Sequence, residues 1–83
     1  GVEKKIKALI KDIEPDAKPF FYNLEGDFLV MKGKKPQAVL SYYKALLLKK
    51  DGSSYERVYA KQQIAKIYAD SKDPRAQEVQ KLP

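Results

Sequence analysis

Residues 19–50 read PFFYNLEGDFLVMKGKKPQAVLSYYKALLLKK, and this stretch decides the fold. Pro19 suits a first helical position, where the N–H it lacks would go unpaired anyway. From there to about Lys32 the apolar residues form two adjacent helical stripes. Tyr22, Gly26 and Leu29 make one, and Phe21, Leu24, Phe28 and Met31 make the other. A helix apolar over so wide an arc packs on more than one side. Gly33-Lys34-Lys35 ends it, because glycine tolerates the left-handed backbone of a helix stop. A further helix is expected from about Pro36 to Lys49. Ala38, Val39, Leu40, Tyr42, Tyr43, Ala45, Leu46, Leu47 and Leu48 leave almost none of its faces polar. So short a connection makes the two helices antiparallel neighbours.

The flanks follow the same pattern. Val2, Ile6, Leu9, Ile10 and Ile13 recur at helical spacing among lysines, and Pro15 stops that helix before a turn at Asp16-Ala17-Lys18. Asp51-Gly52 marks a turn, and Ser53-Ser54-Tyr55-Glu56 reads as a capping box opening a fourth helix. Val58, Ala60, Ile64, Ala65, Ile67 and Tyr68 are its expected buried side, and Lys61, Gln62, Lys66 and Asp70 its wet side. Asp73-Pro74 starts a short fifth helix with Ala76, Val79 and Leu82 on one face. Sustained two-residue alternation is absent, so the fold class is all-α, built of antiparallel hairpins from four to five helices.

Composition narrows the function. The 83 residues make one domain at most, with an expected stability of only ~3–5 kcal/mol unless something adds to it. There is no cysteine and no histidine, which removes disulfides, the usual metal ligands and the commonest general base. No nucleophile-base arrangement is visible, so an enzyme is not expected, and neither a cofactor nor a metal site is. Gly33-Lys34-Lys35 lacks the upstream glycine and the Ser/Thr of a phosphate loop. The apolar runs Phe28–Met31 and Ala45–Leu48 are far too short to span a bilayer. The start at Gly1-Val2-Glu3 shows no signal peptide, and a first residue other than Met suggests a tag remnant or an excised fragment. The compartment, cytoplasmic or periplasmic, stays open. Residues 28–50 carry six lysines and no acid, an excess equal to the whole net charge of +6. Such a segment is either a solubilising face or a surface for acidic partners.

Residues 19–50 resemble one tetratricopeptide (TPR) repeat, whose pattern of aromatic, Leu-Gly, Tyr, Ala, aromatic, Ala and Pro is matched by Tyr22, Glu25-Gly26, Leu29, Ala38, Tyr42, Ala45 and Lys50. Glu25 stands where Leu is expected, and Lys50 where Pro is. A weaker second copy over 53–83 offers Ile64-Ala65 and Tyr68, with Lys61 in place of its aromatic and Ala76 one residue early. Gly26 and Ala65 lie 39 residues apart, against the family's 34. Residues 1–18 would then hold the second helix of a preceding repeat. Another antiparallel bundle of similar period, such as a three-helix trafficking-type domain, is the alternative fold.

The resemblance implies a fragment of a right-handed superhelix that binds a peptide or partner helix in a groove formed by the first helices of successive repeats. Carried over residue by residue, that groove holds Phe20, Asn23, Asp27 and Met31 from one helix and Tyr59, Gln62, Lys66 and Asp70 from the other. Asn23 and Asp27 do not match the terminal-carboxylate clamp of the chaperone-binding members, so that role is rejected. The resemblance makes the chain a scaffold or adaptor with a protein or peptide partner, an acidic one among the candidates. Leu40, Tyr43 and Leu47 share the far side of the third helix and form a candidate self-association patch. The competing function is a basic helical domain that binds nucleic acid or an anionic surface. Nucleic acid is disfavoured because only two arginines, Arg57 and Arg75, are present for base reading.

Overall fold

The computed structural model describes residues 1–49 and 54–83. Its elements are α1 (Val2–Asp12), a 3-10 turn (Pro15–Ala17), α2 (Lys18–Met31), α3 (Lys35–Leu48), α4 (Tyr55–Asp70) and α5 (Arg75–Gln80). The fold is all-helical, with no strand among the described residues. No described helix is long and apolar enough to cross a membrane. The expected Asp51-Gly52 turn, Ser53 of the capping box and Lys50 fall outside the described residues.

Consecutive helices pack on one another, and α2 also touches α4. Asn23 of α2 meets Glu56 of α4, and Asp27 meets Tyr59 further on, so α2 and α4 run in the same direction. They form one row. α1, α3 and α5 lie on the other side of it, in a slab of 35 × 29 × 13 Å.

The α2–α3 seam explains why this hairpin dominates the core. Ala38 and Ala45 are fully buried, and Tyr42 is 1% exposed. The Tyr42 ring lies directly on Gly26. A β-carbon built there would stand 2.5 Å from Cε1 and 2.7 Å from Cζ, closer than real side chains approach. Leu29, Val39 and Leu46 extend this contact to Ala60, Ile64 and Ala65 of α4, and Val79 of α5 closes the core.

Both hairpin turns share one geometry. After α2, the Gly33 N–H bonds the Val30 carbonyl and the Lys34 N–H bonds the Leu29 carbonyl. After α4, the Lys72 N–H bonds the Ala69 carbonyl and the Asp73 N–H bonds the Tyr68 carbonyl. Both are Schellman closures. Gly33 has φ +76 and Lys72 has φ +56, so a 39-residue spacing relates the two turns bond for bond.

Several expectations need correction. Val58 is exposed, and Arg57, 8% exposed, takes the buried position in line with Ala60 and Ile64. The reason is capping. The Arg57 guanidinium donates to the carbonyls of Leu46 and Lys49 at the C-terminal end of α3. The observed N-cap is Ser54, whose side chain makes no cap bond, and the Glu56 carboxylate accepts from Asn23 of α2. Val2 and Leu9 stay exposed, since α1 packs on α2 alone, through Ile6 and Ile10. Met31 is exposed as the last residue of its helix. Glu25, read only as a departure from a Leu position, is buried and accepts a hydrogen bond from the Ser41 hydroxyl at 2.7 Å.

Lys72 pays the steric cost of a left-handed residue with a β-carbon, which Gly33 avoids. Lys72→Gly should therefore stabilise the fold, by about 0.5–1 kcal/mol in urea unfolding. A loss of stability would show that the second turn is not left-handed.

Candidate functional site

The face of the α2–α4 row carries a polar cluster inside an aromatic rim. Asn23 and Asp27 of α2 are four residues apart and therefore share a side. They meet Tyr55, Glu56 and Tyr59 from the first turns of α4. The Asn23 amide nitrogen donates to the Glu56 carbonyl at 3.0 Å and to its carboxylate at 2.8 Å. The Tyr42 hydroxyl, arriving from α3 beneath, donates to Asp27 Oδ1 at 2.5 Å, and the Tyr59 hydroxyl donates to both Asp27 oxygens at 2.8–2.9 Å. Asp27 thus ties three helices together. Tyr55 stacks on Tyr59 with ring centroids 6.3 Å apart, and Phe20 packs edge-on to Phe21 at 5.1 Å.

A small cleft of about 100 Å³ opens between these groups, lined by Phe20, Asn23, Asp27, Tyr55, Glu56 and Tyr59 with Leu24. Phe20 and Tyr55 are exposed at its edge, whereas Asn23 is only 3% exposed. Four of the eight expected groove residues, Phe20, Asn23, Asp27 and Tyr59, therefore come together. The other four do not join them. Gln62 and Lys66 border a separate depression next to Gln80 of α5. Met31 and Asp70 are exposed at the ends of α2 and α4. Tyr55 and Glu56 were not singled out as site residues. The four-residue spacing of Tyr55 and Tyr59 was the available signal, but the capping-box reading assigned Glu56 to its own backbone.

Three lysines of the basic segment lie near local partners. Lys32 and Lys34 lie within 3.4 and 3.9 Å of Glu3, and Lys44 sits over the Tyr22 ring at 5.5 Å. In the candidate self-association patch, Leu40 and Leu47 are 64% and 65% exposed, while Tyr43 packs partly against the core. A larger cleft of about 410 Å³ separates α1 from α3, floored by Tyr22, Glu25 and Leu29.

Burial first, then the Asp27 carboxylate it bonds, push the Tyr59 phenol up from 10.0 to about 12, and the same two causes raise Tyr42 further. The folded state holds protons that the unfolded chain releases near pH 10. That stabilisation is fully present below pH 10 and is lost as pH rises through 12. Comparison with protein-family models, curated proteins and solved structures finds no match for this chain. In an absorbance titration, the Tyr42 and Tyr59 phenols should remain largely un-ionised at pH 11 in the folded protein, and Asp27→Asn should lower that retained fraction. Complete ionisation by pH 11 would contradict the buried hydroxyl–carboxylate bonds.

Proposed function

We propose that this chain is a TPR-like protein-interaction module whose α2–α4 face holds a peptide or helix of a partner protein, as part of a larger scaffold or adaptor. The observation that carries the reading is the cleft between two parallel helices, where exposed aromatic rings flank a hydrogen-bonded polar floor. Exposed aromatic side chains beside preorganised polar groups are the usual composition of a binding hot spot. The recurring turn geometry supports the repeat reading. Two turns 39 residues apart close α2 and α4 with matching hydrogen bonds, which sets the two helices side by side in equivalent places.

The competing reading, an anionic surface binder, needs a continuous basic face. Three of the lysines that would build it are drawn to Glu3 and Tyr22, which weakens that alternative. An enzymatic role has no support in a chain without histidine or cysteine.

Capture of a partner from the native source, with the chain as bait, tests the reading. Phe20→Ala and Lys66→Glu replace exposed residues and should leave the fold intact. Phe20→Ala should weaken capture about tenfold, as loss of an aromatic anchor does, and Lys66→Glu should alter it if the contact extends along α4. If capture is indifferent to both, the partner does not use this face.

A further inference from the structure

The α2–α4 cleft offers hydrogen-bond acceptors almost without free donors. The two Asp27 oxygens and the Glu56 carboxylate are acceptors, and the Tyr42 and Tyr59 hydroxyl protons already point at Asp27. Asn23 adds a sharper fact. Its Oδ1 is buried without any hydrogen-bond partner. Turning the amide over does not cure this. It would set Oδ1 against the Glu56 carbonyl and carboxylate, two acceptors, and strand the nitrogen instead. The unmet need beside the cleft is therefore for a donor.

Charge agrees with this. Lys and Arg are absent from the cleft lining, in a protein of net charge +6, while two carboxylates stand in it. The basic residues noted above belong to other faces, with Lys32 and Lys34 turned to Glu3 and Lys44 to Tyr22. The rim is aromatic. Tyr55 is 75% exposed and stacks on Tyr59, and Phe20 faces solvent on the α2 side. Aromatic faces beside carboxylates favour a flat cation that stacks and donates along its edge, and guanidinium does both better than ammonium.

From this geometry we infer that the cleft takes the side chain of an arginine from the bound partner segment, its guanidinium lodged between the Tyr55 and Phe20 rings and donating to Asp27 and Glu56. This rests on the groove reading and gives it a partner chemistry. At this point the partner is basic, whereas the net charge of the chain favours acidic partners.

The test is NMR titration of the full chain with the blocked tripeptide Ac-Ala-Arg-Ala-NH2 and with its citrulline counterpart, which has the same shape and no charge. The arginine peptide should give saturable shifts at the Asn23 side-chain amide and at the backbone of residues 20–27 and 55–59, and should bind about tenfold more tightly than the citrulline peptide. Glu56→Gln keeps an acceptor for Asn23 but removes a charge, and should weaken arginine binding severalfold. Tyr55→Ala, at an exposed position, should do the same without disturbing the core. Equal binding of the two peptides, or no saturable shift at these residues, overturns the inference. The groove reading fails separately: arginine selectivity can be absent while partner capture still depends on Phe20, and capture can be indifferent to this face whatever the tripeptide does.

Discussion

The Tyr42 ring resting on Gly26 is the contact on which the rest of the structure depends. Position 26 must lack a side chain for α3 to come so close to α2, and the ring of Tyr42 then fills the space between fully buried Ala38 and Ala45. The same residue continues beyond the seam. Its hydroxyl reaches Asp27, the neighbour of Gly26, and Asp27 in turn accepts from Tyr59 of α4. One tyrosine thereby sets the spacing of a hairpin with its ring and the position of the next helix with its oxygen. Without the close approach, the hydroxyl would fall short of Asp27, and the cleft would lose its floor.

Polar groups hold the junctions that apolar packing leaves undefined. Dispersion between Leu29, Leu46 and Ile64 is large but tolerates sliding, whereas a hydrogen bond fixes register. Glu25 with Ser41 pins α2 to α3, Asn23 with Glu56 pins α2 to α4, and Arg57 closes the carbonyl end of α3. Each of these polar groups is at least partly withdrawn from water, so each must keep its partner or leave an unsatisfied group behind. In a chain of 83 residues such bonds decide which of several helical packings is adopted. Asn23 Oδ1 is the exception, a buried acceptor without a donor, on a residue that lines the cleft rimmed by the exposed Phe20 and Tyr55 rings.

Most of the helices could be read from the sequence, because their signals are local. Pro19, Gly33 and the apolar stripes placed α2 and α3 within a residue of their observed bounds, and the small residues of the repeat pattern, Gly26, Ala38 and Ala45, lie at the seam. What could not be read were the side chains that act across helices. The burial of Arg57 left no mark in the sequence, because its partners are backbone carbonyls, which have no sequence signature. Val58 took the buried place in its stead, since hydropathy alone ranks valine above arginine. Glu56 fitted a capping box by spacing, and nothing in that pattern pointed to Asn23 of the neighbouring helix, whose amide its carboxylate accepts from. Half of the candidate site came from the resemblance, which carried Phe20, Asn23, Asp27 and Tyr59 over residue by residue, while Tyr55 and Glu56 depend on which face of α4 turns toward α2, a matter of packing across helices.

The sign of one stability change separates this account from its alternatives. In a solvent-facing helix, Gly→Ala stabilises by about 1 kcal/mol through backbone entropy. At Gly26 the new methyl group would meet a ring that is 1% exposed and tied to Asp27, so it has little room to move aside. Overpacking of this kind costs about 1–3 kcal/mol and should exceed the helical gain. Urea unfolding of Gly26→Ala is therefore predicted to show a net loss of stability of up to about 2 kcal/mol, and a variant more stable than the parent would mean that α2 and α3 do not meet at this seam.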